Sequence, residues 1–262
     1  MMHTNHAPGP ENTTPKIVGH RGASRQHTEN TLPALEAAVH HGADAVELDI
    51  QYTRLGEPLV FHDADLWRIA DRPERVRDLC AAEVRGLVAA AATRRPGCPR
   101  GSIHVPDLAE AVDALAPHPI EVFVEIKADG VETGNIEDWV AATVDAARPL
   151  KKNLAVISFN RAIVRAAQLA GAPRIGWIIE QWTRRTRETA GRLQPDLLVA
   201  STGILPRAPA PLWRGGWQWM IYEVNDAART RLLHARGADY IETADPEALI
   251  HALRPHGERE EN

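Results

Sequence analysis

Short runs rich in β-branched residues alternate with alanine-rich amphipathic runs along most of this chain. The strand-like runs are 17–20, 45–52, 120–126, 154–158, 174–179, 196–200, 218–224 and 239–243. The helix-like runs between them include 31–41, 136–147, 160–170, 183–193, 226–236 and 246–253. This order is typical of βαβ units that build a parallel sheet. Eight such strands and a last helix in about 250 residues predict an α/β fold, a (β/α)8 TIM barrel. A doubly wound open sheet is the alternative, although no G-x-G-x-x-G motif follows the first strand.

The run PLVFHD at 58–63 interrupts this alternation. Only TRLGE separates it from the preceding strand, whereas a parallel connection needs about a dozen residues or more. We therefore expect the run to return antiparallel as a hairpin, which brings His62 back towards that strand. Residues 64–106 then form an insertion before the next βα unit. Such an insertion either sets specificity or decorates the surface.

Composition limits the class of protein. The 262 residues are 44% hydrophobic and 25% charged, enough to bury a core without disulfides. A net charge of −5 provides no electrostatic footprint for nucleic acid. The chain has no signal-peptide pattern and no apolar run of the roughly 20 residues that a membrane helix needs, so we expect a cytoplasmic protein without membrane insertion. Residues 1–15 and 254–262 are expected to be polar, disordered tails of a barrel domain spanning 16–253.

Acidic residues interrupt two of the predicted strands. In AVELDIQ, Glu47 and Asp49 lie two residues apart, so strand alternation places both on one face. In VFVEIKA on the next parallel strand, Glu125 and Lys127 repeat that spacing. Because neighbouring strands lie about 4.8 Å apart, the three carboxylates could converge at the carboxyl-terminal rim of the barrel. Such oxygen donors suit one divalent cation, Mg²⁺ or Ca²⁺. The alternative is a salt-bridge network in which Arg21 and Lys127 neutralise the acids.

Two histidines are predicted to reach the same rim. His20 ends the first strand, within IVGHRGA, and His62 ends the hairpin strand. A pair of histidines beside a metal is suited to general acid–base catalysis at neutral pH. Arg21 and Lys127 indicate an anionic substrate, because guanidinium and ammonium groups bind phosphate well. We interpret the glycines on either side of the His20–Arg21 pair as giving a ligand room.

Three further polar residues lie near these motifs. Asn30 precedes TLPAL and is predicted to cap the first helix. Glu29 beside it has either a role near the site or a structural hydrogen bond. Asp63 follows His62 and would point to the opposite face if the strand continued, so we do not expect it to be a ligand.

An ordered set of motifs runs through the predicted barrel. It comprises HRGA at 20–23, TENTLPAL at 28–35, ELDIQYT at 47–53, VFHDADLWR at 60–68, VPDLAEAV at 105–112, VEIK at 124–127, ISFN at 157–160 and GADYIETADPEAL at 237–249. In this set the chain resembles the glycerophosphodiester phosphodiesterases. The resemblance implies a TIM barrel with a cation held by Glu47, Asp49 and Glu125, an acid–base pair of His20 and His62, and phosphate contacts from Arg21 and Lys127.

The activity that the resemblance implies is metal-dependent hydrolysis of a small-molecule glycerophosphodiester to sn-glycerol 3-phosphate and an alcohol. In that family a glycerol hydroxyl attacks phosphorus to give a cyclic phosphate, which water then opens. Tyr222, in MIYEVN, stands where the family usually has a tryptophan, so we expect it to contact the glycerol carbons and alter selectivity. Two alternatives are a lysophospholipase D acting on lysolipids and a non-catalytic phosphate-binding barrel.

Overall fold

A computed structural model describes residues 14–92, 103–129, 131 and 136–254, and within them eight parallel strands close into a barrel. In chain order the strands are β1 (Lys16–Gly19), β2 (Ala45–Tyr52), β3 (Pro58–Val60), β4 (Glu121–Ile126), β5 (Leu154–Ser158), β6 (Ile175–Ile179), β7 (Leu197–Ser201), β8 (Gln218–Tyr222) and β9 (Tyr240–Thr243). Strand β1 pairs in parallel with both β9 and β2, and these pairings close the ring. The predicted (β/α)8 fold is confirmed, and the open sheet is wrong.

The helices lie between the strands. They are α1 (Leu32–His40), α2 (Trp67–Ala70), α3 (Ala81–Ala92), α4 (Leu108–Leu115), α5 (Ile136–Ala146), α6 (Arg161–Leu169), α7 (Arg184–Leu193), α8 (Ala227–Ala235) and α9 (Pro246–Leu253). Five of them begin where a side-chain oxygen accepts a backbone N–H: Asp107, Asn160, Thr183, Asp226 and Asp245 cap α4, α6, α7, α8 and α9. No described helix is long and apolar enough to span a bilayer.

Alternate strand positions point into the barrel or out to the helices. Val18, Phe123 and Tyr240 belong to a cluster made of strand residues, which fills the interior. Val46 and Val124, at intervening positions, pack instead against side chains from the helix layer. Because the period is two residues, every second residue of β2 and β4 faces inward, and polar residues at those positions must find partners inside the barrel.

The predicted hairpin is present. Strand β3 runs antiparallel to the end of β2, with Val60 opposite Ile50 and Pro58 opposite Tyr52. The insertion that follows carries α2 and α3 and packs around its own apolar cluster, which includes Leu59, Leu66, Ile69, Val76, Val84, Val88, Ile103 and Val105. Residues 93–102 of the insertion, and 1–13 and 255–262 of the predicted tails, lie outside the described residues.

An ionic network closes the amino-terminal end of the barrel. The Glu121 carboxylate forms ion pairs with Lys16 and Arg174 and accepts a hydrogen bond from the Tyr240 hydroxyl at 2.9 Å. Burial opposes ionisation of Glu121, but the hydrogen bonds and charges of Lys16, Tyr240 and Arg174 outweigh it and lower its pKa. The charged form of Glu121 is therefore favoured by folding.

The glycines beside His20 and Arg21 serve the packing of α1. Gly22 has φ +80°, and a Cβ there would lie 2.3 Å from the carbonyl carbon of Ala34. A Cβ on Gly19 would lie 2.8 Å from the Cβ of Ala38. Our interpretation that these glycines leave space for a ligand is wrong, because the chain's own first helix fills that space.

Candidate active site

Three carboxylates converge inside the barrel at the carboxyl ends of its strands. Glu47 and Asp49 follow Ala45 at inward positions of β2, and Glu125 follows the inward-facing Phe123 on β4. Asp49 lies directly opposite Glu125 in the strand register. One oxygen from each of the three carboxylates lies within 4.8 Å of the others, and all three residues are buried. The structure thus brings together the three residues predicted as metal ligands.

Two cations pair with part of this cluster. Arg21 Nε lies 3.1 Å from Asp49 Oδ2, and Lys127 Nζ lies 2.7 Å from Asp49 Oδ1. Lys127 also forms an ion pair with Glu125. Glu47 differs: its Oε2 accepts the backbone N–H of Arg21 at 3.0 Å, but its Oε1 is buried and has no hydrogen-bond partner among the described residues. The predicted salt-bridge network is therefore present for Asp49 and Glu125 and leaves Glu47 without a cation.

The three carboxyl groups differ in the direction of their pKa shifts. Burial raises the pKa of Glu47 well above its ordinary value, and the charges of Asp49 and Glu125 raise it further. Burial also raises the pKa of Glu125, to about 7, despite the opposing charge of Lys127. For Asp49, Lys127 and Arg21 overcome burial and lower the pKa to about 2. The cluster thus holds more carboxylate than its cations offset, which is the environment of a divalent-cation site.

A fourth carboxylate, Glu242, was missed from the sequence. It lies on β9 two residues after the inward-facing Tyr240, is only 3% exposed, and its Oε1 is 3.4 Å from His20 Nε2. Burial raises its pKa to about 8, and the charges of Glu125 and Asp49 add to that effect. Strand alternation within YIET could have identified it, since a glutamate stands where an inward-facing residue is expected.

His20 lies one residue beyond β1, at the mouth of the barrel. Its backbone N–H donates to the Thr243 carbonyl at 2.8 Å, which fixes its position against β9. Burial lowers the pKa of its imidazole to about 4, and the charge of Arg21 acts in the same direction while Asp49 opposes it. A neutral imidazole can accept a proton.

His62 lies two residues beyond β3 and carries its own carboxylate partner. Its Nδ1 is 2.6 Å from Asp63 Oδ1, and its carbonyl accepts a hydrogen bond from Gln51 Nε2 at 3.1 Å. The condition under which Asp63 would face away from His62 is not met, because the strand ends at Val60 and alternation no longer applies. That Asp63 is not a metal ligand stays a prediction. The charge of His62 contributes to the lowered pKa of Asp49, so this histidine shares the rim with the acidic cluster.

The insertion reaches the site through Arg68 of α2. Arg68 Nε donates to Asp63 Oδ2 at 2.7 Å, and its Nη1 donates to Glu29 Oε2 at 2.9 Å. Glu29 Oε1 in turn accepts a hydrogen bond from Arg21 Nη1 at 2.9 Å. Glu29 therefore links Arg21, at the acidic cluster, with the side chains that hold His62.

The Asn30 amide forms hydrogen bonds with both the side chain and the backbone of Asp49. Its Nδ2 donates to Asp49 Oδ2 at 2.8 Å, and its Oδ1 accepts the Asp49 backbone N–H at 3.1 Å. Asn30 has φ +57°, and the residue that precedes α1 directly is Thr31. The prediction that Asn30 caps α1 is wrong, since its side chain is turned instead towards the carboxylate cluster.

Tyr222 ends β8 at the same rim. It lies two residues after the inward-facing Met220 and packs against the interior cluster. Burial raises the pKa of its hydroxyl, and the nearby charges of Glu223, Glu242 and Glu125 act in the same direction. Its contact with a substrate stays a prediction.

Comparison with known proteins identifies the family of this chain. The sequence model of the glycerophosphoryl diester phosphodiesterase family matches residues 20–248, which span His20, the acidic cluster and Glu242. The chain belongs to this family. The predicted resemblance is confirmed, and so is the prediction that the chain is an enzyme, a phosphoric diester hydrolase.

Three relatives illustrate the match to the family. A glycerophosphodiester phosphodiesterase of Caldanaerobacter subterraneus is 27% identical over 247 residues, covering 92% of this chain and 98% of that protein. Human glycerophosphodiester phosphodiesterase 1 is 39% identical over 111 residues, which are 42% of this chain and 33% of that protein. The structure of an Oleispira antarctica phosphodiesterase in complex with the product sn-glycerol-3-phosphate covers 91% of this chain and 96% of its own, with a TM-score of 0.74 and 23% identity. This last likeness shows a shared fold.

Proposed function

We propose that the chain hydrolyses glycerophosphodiesters to sn-glycerol 3-phosphate and an alcohol, with a divalent cation and with His20 and His62 as the acid–base pair. The observation that carries this proposal is the convergence of three buried carboxylates at the rim that both histidines occupy. The family match, the name of the Caldanaerobacter relative and the product in the Oleispira structure support it. We keep the cytoplasmic location as a prediction.

Glu47, Asp49 and Glu125 would hold the cation. Their oxygen donors suit Mg²⁺ or Ca²⁺, and the buried Glu47 Oε1 offers a ligand atom that has no other described partner. A bound cation would stabilise negative charge on the phosphoryl oxygens. Asn30 would keep Asp49 in the orientation that such binding needs, since it holds both the side chain and the backbone of that residue.

Arg21 and Lys127 would bind the phosphate. A guanidinium carries five N–H donors and an ammonium three, so their pairing with Asp49, Glu125 and Glu29 still leaves donors for an anion. These carboxylates also fix where the two cations lie before substrate arrives. A positioned pair of donors stabilises charge without rearranging during the reaction.

Two proton transfers complete the proposed chemistry. One histidine takes the proton of the glycerol hydroxyl as its oxygen bonds to phosphorus, and the other donates a proton to the leaving alcohol oxygen. Water then opens the cyclic phosphate with the two roles exchanged, which restores both histidines. The Asp63 carboxylate at His62 Nδ1 favours a proton on that nitrogen and leaves Nε2 for the transfer.

A lysolipid substrate is the second candidate. The Trp67 indole on α2 is 61% exposed, and the next residue, Arg68, contacts the site through Asp63 and Glu29. An exposed aromatic side chain on the helix that contacts the site offers apolar surface to an acyl chain. The non-catalytic barrel is disfavoured, because a phosphate binder has no use for two histidines at the rim beside the acidic cluster.

The test is release of glycerol 3-phosphate from glycerophosphocholine and glycerophosphoethanolamine, beside hydrolysis of lysophosphatidylcholine. Each substrate is assayed with Mg²⁺, with Ca²⁺ and with chelator. We expect metal-dependent release from the deacylated diesters and a fall of about 10²–10⁴-fold in His20→Ala and His62→Ala. His118, which follows α4 in the sequence and is exposed, provides the control variant His118→Ala.

Two other outcomes would contradict the main proposal. Turnover of the lysolipid alone would replace the main proposal by the second candidate. No turnover of any of the three substrates, in protein that is folded and loaded with metal, would overturn both.

A further inference from the structure

We propose a second cation site beside the first, formed by His20, Glu47 and Glu242, which takes a zinc-type divalent ion and inhibits the enzyme when filled. One ligand atom from each residue lies within 4.8 Å of the other two. The metal-binding part of this proposal stands by itself. Its inhibitory consequence rests on the proposed function, in which His20 transfers a proton.

The distances suit a tetrahedral ion. His20 Nε2 and Glu242 Oε1 are 3.4 Å apart. Two donors at roughly 2.0–2.1 Å from a tetrahedral zinc ion are separated by about 3.3–3.4 Å. Glu47 supplies the third donor, and its buried Oε1 has no hydrogen-bond partner in the described chain. The proposed second site is thus more than an acidic cluster, because it combines an imidazole with a buried carboxylate oxygen that has no described hydrogen-bond partner.

The distribution of charge supports the same site. Arg21 and Lys127 both pair with Asp49, and Lys127 also pairs with Glu125. Within the described ranges, no lysine or arginine forms an ion pair with Glu47 or Glu242. Two buried carboxylates that pair with no described lysine or arginine are costly without a cation. A divalent ion at this position would offset both.

The donor set decides which ion it would be. Mg²⁺ and Ca²⁺ prefer oxygen ligands, whereas an imidazole nitrogen with two carboxylates suits Zn²⁺. Glu47 takes part in both groups of ligands, so the second ion would neighbour the first and share that carboxylate. The oxygen-only site thereby keeps Mg²⁺ or Ca²⁺, and the nitrogen-containing site selects the softer metal.

Filling the second site would disable His20. A nitrogen that donates its lone pair to zinc cannot take up a proton, so His20 Nε2 would be lost to acid–base chemistry. Zinc should therefore inhibit even when Mg²⁺ saturates the first site. Glu242 contributes to this effect without being needed for the proposed reaction steps.

The test titrates Zn²⁺ into enzyme saturated with Mg²⁺ and follows hydrolysis of glycerophosphocholine. We expect Glu242→Gln to raise the half-inhibiting Zn²⁺ concentration at least about tenfold, since one of three ligands is weakened. Glu242→Ile, which removes the donor entirely and suits a strand, should behave likewise. Glu223→Gln is the control, because Glu223 follows β8 at the same rim and is exposed.

Calorimetry with Zn²⁺ in the presence of Mg²⁺ is the second readout and needs no activity. We expect Glu242→Gln to weaken one zinc-binding event by at least about tenfold, whereas Glu223→Gln keeps the wild-type affinity. Equal zinc affinity in wild type and Glu242→Gln would overturn the site. Active enzyme with unchanged zinc sensitivity in both Glu242 variants would overturn the inhibitory role while leaving the proposed function intact. Absence of hydrolysis with a weakened zinc-binding event in Glu242→Gln would refute the function and keep the site.

Discussion

His62 Nδ1 lies 2.6 Å from Asp63 Oδ1, so a histidine and the next residue in the chain face each other at the rim. Arg68 Nε holds the other oxygen of Asp63 at 2.7 Å. The carboxylate is thus fixed from both sides, and the ring of His62 is oriented by residues that need not touch a substrate.

Asp63→Asn should lower kcat by about 100-fold or more with a smaller change in KM. An amide at this position can donate to Nδ1 and so favour the wrong tautomer of His62, and a misplaced proton of this kind is costly in other histidine enzymes. Steady-state kinetics with glycerophosphocholine measures the effect. Asp71→Asn is the control, since Asp71 is exposed and its φ of +55° is one that asparagine accepts. Equal kcat in both variants would remove Asp63 from the proposed machinery.

Asn30→Gly should weaken Mg²⁺ binding by about 10- to 100-fold. Glycine accepts the φ of +57° at this position but removes the amide that holds Asp49. Calorimetric titration with Mg²⁺ measures the change. Asn30→Ala should show the same loss of affinity together with an added loss of about 1 kcal/mol in the free energy of unfolding. Wild-type affinity in Asn30→Gly would show that the amide positions nothing.

Gly22→Ala should reduce the free energy of unfolding by about 2–4 kcal/mol. The new Cβ would lie 2.3 Å from the backbone of Ala34, at a residue with φ +80°. Gly42→Ala is the matched control: its φ is +79°, but a Cβ there meets nothing within 4 Å. Gly42→Ala should cost only about 1 kcal/mol, which is the backbone strain alone. Urea unfolding of both variants separates the two contributions, and equal losses would contradict the packing role of Gly22.

Glu121→Gln should destabilise the barrel by roughly 1–3 kcal/mol at pH 7. Because folding lowers the pKa of Glu121 below its ordinary 4.5, its charged form adds stability above that pH. The contribution is lost as the pH falls through the lowered value. The difference between wild type and Glu121→Gln should therefore shrink below pH 4.5, which urea unfolding at several pH values can follow. The exposed Glu36 supplies the control Glu36→Gln, and a pH-independent difference would contradict the ionic role.

Strand periodicity was sufficient to predict the fold and the acidic cluster. Glu47 and Asp49 share a face because they are two residues apart, and parallel pairing aligns Glu125 with them. Lys127 follows the same rule. These positions lie in or directly after regular strands, where residue spacing translates into direction.

Turns were not predictable in that way. Asn30 has a left-handed backbone, and Asp63 follows a strand that stops after three residues. The direction of neither side chain therefore follows from an alternating pattern. Glu242 lies in a strand of four residues, where alternation rests on a single inward-facing neighbour, Tyr240. The missed partners of His20 and His62 thus come from short or irregular segments whose conformation depends on packing.

The insertion packs around its own apolar cluster and sends Arg68 to the side chains beside His62. Such a segment could be exchanged as a unit between relatives. Its interior can diverge, or be exchanged for that of a relative, provided that its contacts with Leu59 of β3 and with β2 are kept. A graft that keeps α2 in register would preserve the support of the histidine while presenting a different residue in place of Trp67. Substrate range could then change by exchange of one segment, with the reacting groups left untouched.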